Sequence, residues 1–109
     1  MNPGHTYVLG SASGTLYIGV TSELRLRICQ HKLGVFEGFS RRYGCHRLLL
    51  AEPFHSITEA IARETQLKGW TRAKKLELIR RTNPQLEDLA ETWTYERLGP
   101  CQAIADESF

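Results

Sequence analysis

Residues 15–31 read Thr-Leu-Tyr-Ile-Gly-Val-Thr-Ser-Glu-Leu-Arg-Leu-Arg-Ile-Cys-Gln-His, and their chemistry predicts a strand that runs straight into a helix. Thr15–Thr21 is rich in β-branched and aromatic side chains, which suit a pleated surface. Ser22 fits a helix N-cap, and Glu23 brings negative charge to the first turn. Helical spacing puts Arg27 and His31 on one face. Strand alternation puts Tyr17 and Gly19 on one side, and a strand glycine lets a ligand or another chain segment come close. One short segment therefore offers a phenol, a guanidinium and an imidazole to one cleft.

The flanking sequence extends this unit. Tyr7–Ser11 forms a short apolar strand, and Ala12-Ser13-Gly14 forms a turn in which Gly14 can take positive φ. A three-residue loop sets Tyr7 opposite Gly19 and on the face of Tyr17; a slip of one residue would separate them. Glu23–Lys32 is the first helix, with Leu24 and Ile28 as its core stripe. The loop Val35–Gly44 interleaves Phe36, Phe39 and Tyr43 with Arg41 and Arg42, a mixture of rings and cations that single-stranded nucleic acid favours. The competing reading is that the rings anchor the loop to the core.

Arg47–Ala51 reads as a buried third strand, ended by Pro53. Ser56-Ile57-Thr58-Glu59 is a capping box that opens a second helix. There Ala60, Ile61, Glu64 and Leu67 share the inward face, which sets a carboxylate among apolar groups. That costs several kcal/mol unless the carboxylate is paired or bound to a metal. Gly69 breaks this helix. Arg72–Arg81 forms a third, with Leu76 and Ile79 inward and Arg72, Lys74 and Lys75 outward, and Asn83-Pro84 ends it. The expected fold is an α+β member of the α/β class: a small three-stranded sheet flanked by helices, in the order β-β-α-β-α-α.

A chain of 109 residues makes one domain with a modest core, here expected over 1–89 with an acidic tail at 90–109. No apolar run approaches the ~18 residues of a membrane span. The start, Met1-Asn2-Pro3-Gly4-His5, lacks the features of a signal peptide, so a cytoplasmic location is expected. The net charge of +2 conceals an asymmetry, for residues 1–83 hold 13 Lys/Arg against 6 Asp/Glu and residues 84–109 hold 1 against 6. A basic body suits a polyanionic partner, although a solvated charged face would look the same. The spacing of Cys29, His31, Cys45 and His46 matches no common zinc pattern.

Taken together, these residues resemble the GIY-YIG nuclease family over about residues 5–89. Tyr17-Ile18-Gly19 matches the second triplet. Tyr7, ten residues earlier, falls at the tyrosine of the first, where Thr6 stands beside it and the triplet is degenerate. Arg27 and His31 fall at the family's helix positions, and Ala62-Arg63-Glu64 matches the segment with the metal-binding glutamate. Small stand-alone bacterial members are the nearest likeness, through Gly14–Thr21, Trp70-Thr71-Arg72-Ala73-Lys74 and Asn83-Pro84.

The resemblance implies an antiparallel sheet and metal-dependent hydrolysis of phosphodiester bonds in DNA. Glu64 would hold Mg²⁺ or Mn²⁺, hard ions that suit carboxylate and phosphate oxygens, and Arg27 would stabilise the pentavalent phosphate. Tyr17 is the expected base, although a phenol with a pKa of about 10 needs cations nearby for that task. His31 would orient Tyr17, relay its proton or bind phosphate; Tyr7 would position water or support Tyr17; Asn83 falls near an active-site asparagine. Nucleic-acid contacts are expected from Gly19, Lys32, Phe39, Arg41, Arg42, Lys68, Arg72, Lys74 and Lys75. The expected substrate is single-stranded or branched DNA, read with weak sequence preference. The alternative is a nucleic-acid-binding module that does not cut, or a nuclease that a partner activates. Oligomeric state stays open with a monomer as the default, and one site cuts one strand at a time.

Overall fold

Strand β1 (Gly4–Gly10) is the middle of a three-stranded antiparallel sheet, between β2 (Leu16–Thr21) and β3 (Arg47–Phe54). Helix α1 (Leu24–Leu33) follows β2, and α2 (Ile57–Lys68) and α3 (Arg72–Arg80) follow β3. The element order is β-β-α-β-α-α, as the sequence predicts. The computed structural model describes residues 3–33 and 42–93. The expected loop residues Phe36, Phe39 and Arg41, and residues 94–109 of the expected tail, lie outside them.

The hairpin turn sets the register. The Ser11 N–H donates to the Thr15 carbonyl at 3.0 Å, closing a three-residue loop in which Gly14 takes φ +94°. Tyr7 then pairs with Gly19 and Leu9 with Tyr17, so all four share one face. β1 begins at Gly4, earlier than expected, because Phe54, Pro53 and Glu52 pair with Gly4, His5 and Thr6. A register shift between Val8 and Leu9 leaves Leu49 as an extra residue in β3, a bulge that bends the strand.

Two core layers follow from the pleat. One gathers Tyr7, Leu9, Ile28, Cys45, Leu48 and Ala90, with Tyr17, Leu24 and Trp93 packed against them. The other gathers Val8, Ile18, Leu49, Leu50, Leu67 and Ile79. Leu48, Leu49 and Leu50 divide between the layers, which explains their continuous apolar run. Ala90 is fully buried, and the Arg25 guanidinium lies 4.6 Å over the Trp93 ring. The packed body therefore extends beyond residue 89, to at least Trp93.

Polar latches hold the elements together. Thr21 Oγ1, rather than Ser22, accepts the Glu23 N–H at 3.0 Å at the head of α1. Ser56 caps α2 by accepting the Glu59 N–H at 3.3 Å, and Thr6 Oγ1 ties β1 to α2 by donating to the Ala60 carbonyl at 2.7 Å. Asn83, 4% exposed, has its amide committed to backbone. Its Nδ2 donates to the Leu49 and Glu87 carbonyls at 3.2 and 2.8 Å, and its Oδ1 accepts the Glu87 N–H at 2.9 Å. Asp88 accepts the Leu48 and Ala90 N–H groups at 3.0 and 2.9 Å and pairs with Lys32.

Two outcomes follow for stability. Asn83→Ala leaves buried backbone groups without partners, so urea denaturation should show a loss of about 2–3 kcal/mol. Burial alone would raise the Asp88 pKa, but Lys32 and the two N–H groups hold it below its ordinary 3.8. Its stabilisation is present above the unfolded pKa and disappears as pH falls through the lower folded value. Asp88→Asn should therefore weaken the fold at neutral pH and flatten the acid limb of a stability–pH curve below about pH 4.

Candidate active site

The sheet register lays the Tyr7 ring across Gly19. A Cβ at position 19 would come within 2.5 Å of Tyr7 Cζ and Oη, closer than atoms can approach, so only glycine fits there. Gly19 is buried, which makes it a seat for this ring rather than the nucleic-acid contact expected from sequence. The Tyr7 hydroxyl is 2.9 Å from His31 Nε2. The Tyr17 ring completes the group, its centroid 5.4 Å from that of His31 and 6.4 Å from that of Tyr7. Tyr7 and His31 are 1% and 4% exposed, whereas Tyr17 is half-buried and reaches the surface.

Burial governs the protonation of this pair. It raises the Tyr7 pKa well above the ordinary phenol value, helped by Tyr17 and Glu64 and opposed by Arg27. It also lowers His31 to about 4, helped by the positive charge of Arg27 and by His46. Near neutral pH the structure thus holds a protonated phenol against a neutral imidazole. The place of His46 against the end of α1 was not foreseen from the sequence. Its Nδ1 lies 3.2 Å from the His31 carbonyl oxygen, a contact between the end of α1 and the approach to β3 that no spacing rule reveals.

Arg27 and Glu64 belong to the same cluster, since both charges act on Tyr7. β1, β2, α1 and α2 each deliver a part of it. The Glu64 side chain is 20% exposed and lies 3.3 Å from Lys68 Nζ, one turn along α2. That pair is partly solvated and worth little, so Lys68 can yield its place to a stronger cation. Among the described residues, no group of three or more His, Cys, Asp or Glu side chains could hold a metal. A lone hard carboxylate fits an ion that keeps waters and takes further oxygen ligands from a phosphate, as Mg²⁺ does.

The other expected residues divide. Asn83 is held by backbone, and Lys32 is held by Asp88; both serve the fold. Lys68 and Lys75 flank a cavity of about 270 Å³ at the outer edge of β2, against Tyr17. Arg72 and Lys74 are exposed on α3, where the Lys74 ammonium lies 4.2 Å over the Trp70 ring. Arg42 is exposed, its guanidinium 5.6 Å from the Tyr43 ring centroid. Phe39 and Arg41 lie outside the described residues.

Residues 3–77 match the family model of the GIY-YIG catalytic domain. The chain is 36% identical to a UPF0213 protein of Streptococcus agalactiae over 78 residues, which are 72% of this chain and 89% of that protein. It is 35% identical to a UPF0213 protein of Natronomonas pharaonis over 75 residues, 69% of this chain and 88% of that one. The solution NMR structure of a UPF0213 protein from Bacillus halodurans superimposes with a TM-score of 0.52 at 28% identity, covering 84% of this chain and 99% of that chain. With the catalytic-domain match spanning both triplets and the α2 glutamate on a shared fold, this chain belongs to the GIY-YIG family, alongside the UPF0213 proteins.

Proposed function

We propose that this protein is a divalent-metal-dependent endonuclease that hydrolyses phosphodiester bonds in DNA with weak sequence preference. One observation carries the reading. A protonated Tyr7 is hydrogen-bonded to a neutral His31 beside Tyr17, within reach of the Arg27 and Glu64 charges. Buried polar groups are rarely gathered this way for packing alone, because each must lose its water.

The roles follow from exposure and charge. Tyr7 is sealed in and keeps its proton, so it supports the site by hydrogen bonding. Tyr17 reaches the surface, so it can release its own proton to solvent, and as the phenolate it takes the proton of the attacking water. His31 fixes the Tyr7 hydroxyl and lies against the Tyr17 ring, which orients both phenols. Arg27 would stabilise the negative charge that builds on the phosphate oxygens as the water attacks. Glu64 would hold Mg²⁺ or Mn²⁺, whose chemistry is to polarise a phosphate oxygen. Lys68 and Lys75 beside Tyr17 give the DNA backbone a cationic approach. A strand that lies along a sheet edge, rather than in a groove, favours single-stranded or branched DNA.

Cleavage of labelled single-stranded, duplex and branched DNA, with Mg²⁺ or Mn²⁺ against EDTA, tests the reading. Cutting should require metal and fall at least about 100-fold in Glu64→Gln and in Tyr17→Phe. Cutting that persists in Glu64→Gln overturns it, and binding without cutting favours the non-cleaving module.

His31 adds a pH signature. Its folded pKa of about 4 lies below the ordinary 6.5, so the unfolded chain takes up the proton first. Folding stability is full above about pH 6.5 and declines as pH falls towards about 4, by on the order of 3 kcal/mol. Urea denaturation at the two ends of that range should show this slope, and His31→Gln should remove most of it.

A further inference from the structure

The cationic edge of β2 continues past the ring cluster. Beyond the cavity at Tyr17, a second of about 480 Å³ shares Leu16 and Lys75 and adds Arg72 and the turn residues Ser13, Gly14 and Thr15. A third, of about 310 Å³, shares Gly14, Leu16 and Arg72 with the second. Arg47 also lines it, and Leu16, Leu49, Leu76 and Leu86 form an apolar wall. Among the described residues, no carboxylate lines any of the three. Tyr17 and Gly14 are three residues apart along the strand and turn, or about 10 Å.

The charges here differ from those elsewhere on the chain. Lys32, Arg63, Lys68 and Arg81 are paired with carboxylates. Among the described residues, Arg47, Arg72 and Lys75 form no ion pair. The turn also leaves room for Arg72. A Cβ on Gly14 would fall 2.8 Å from Arg72 Nη2, so the glycine lets the guanidinium lie against the turn at the cavity's edge.

We infer that the third cavity is a nucleotide-recognition pocket for the substrate strand, separate from the ring cluster. Two guanidiniums match a backbone phosphate. Four leucines beside them match a ligand that carries an apolar face next to its anion, which describes a nucleotide with its base unstacked. The volume lies at the small end of ligand pockets and suits one nucleotide. Paired bases are stacked and unavailable, so the pocket selects strands with an unpaired nucleotide near the cut. This inference rests on the proposed nuclease activity, and Arg47 is its distinctive residue.

Binding in EDTA separates this pocket from catalysis. Fluorescence anisotropy with short labelled single strands should show about tenfold weaker binding for Arg47→Gln and for Arg72→Gln. Arg72 is exposed at the head of α3, so its variant keeps the test valid if Arg47→Gln fails to fold. An abasic site moved along the strand should weaken wild-type binding severalfold at one position, and the Arg47→Gln variant should not sense it. Equal binding by both arginine variants, a flat abasic scan, or saturation by free AMP with strands indifferent to Arg47 would overturn the pocket. Metal-dependent cleavage by wild type alongside any of these results would leave the nuclease reading standing; loss of cleavage as well would remove both.

Discussion

The contact of the Tyr7 ring with Gly19, locked by the hydrogen bond to His31, organises this protein. It joins the central strand to an edge strand and to the first helix through one side chain. The contact depends on the register that the hairpin turn sets, because a shift of one residue would direct the ring to the other face. The same contact seals a phenol and an imidazole from water, and burial sets both protonation states. Fold and candidate chemistry therefore share one constraint: a bulky ring needs a glycine opposite, and its hydroxyl needs a buried partner.

Around that contact the cations fall into two groups. Lys32 and Arg63 are held by Asp88 and Glu52, and they tie helices to β3. Arg72 and Lys75 lie along the outer edge of β2 without ion pairs among the described residues. Net charge gives no means of separating these groups, since a salt bridge across the fold and a free surface charge count alike. The division matters because a paired cation offers a polyanion much less than an unpaired one.

Much of this architecture was legible in the chain. The alternation at Tyr7, Leu9, Tyr17 and Gly19 with a three-residue loop gave the hairpin and its register. The capping box at Ser56 and the apolar stripe of Leu24 and Ile28 gave the helices. Arg27, His31 and Glu64 were legible as site candidates through local spacing and likeness to a family. The partners of Asn83 and Lys32 were not legible, because an amide or an ammonium looks the same in sequence whether its partner is a backbone carbonyl, a carboxylate or a ligand.

The sequence by itself determined the element order, the hairpin register and the residue types available for chemistry, because these depend on neighbours a few positions apart. The tertiary structure alone decided which groups meet across long separations. It brought Asp88 to Lys32 and Leu48, Asn83 to Leu49, His46 to His31 and Arg72 to Gly14. It also decided that Tyr7 is sealed while Tyr17 reaches the surface, since burial depends on every layer packed above a side chain and no local pattern encodes that sum.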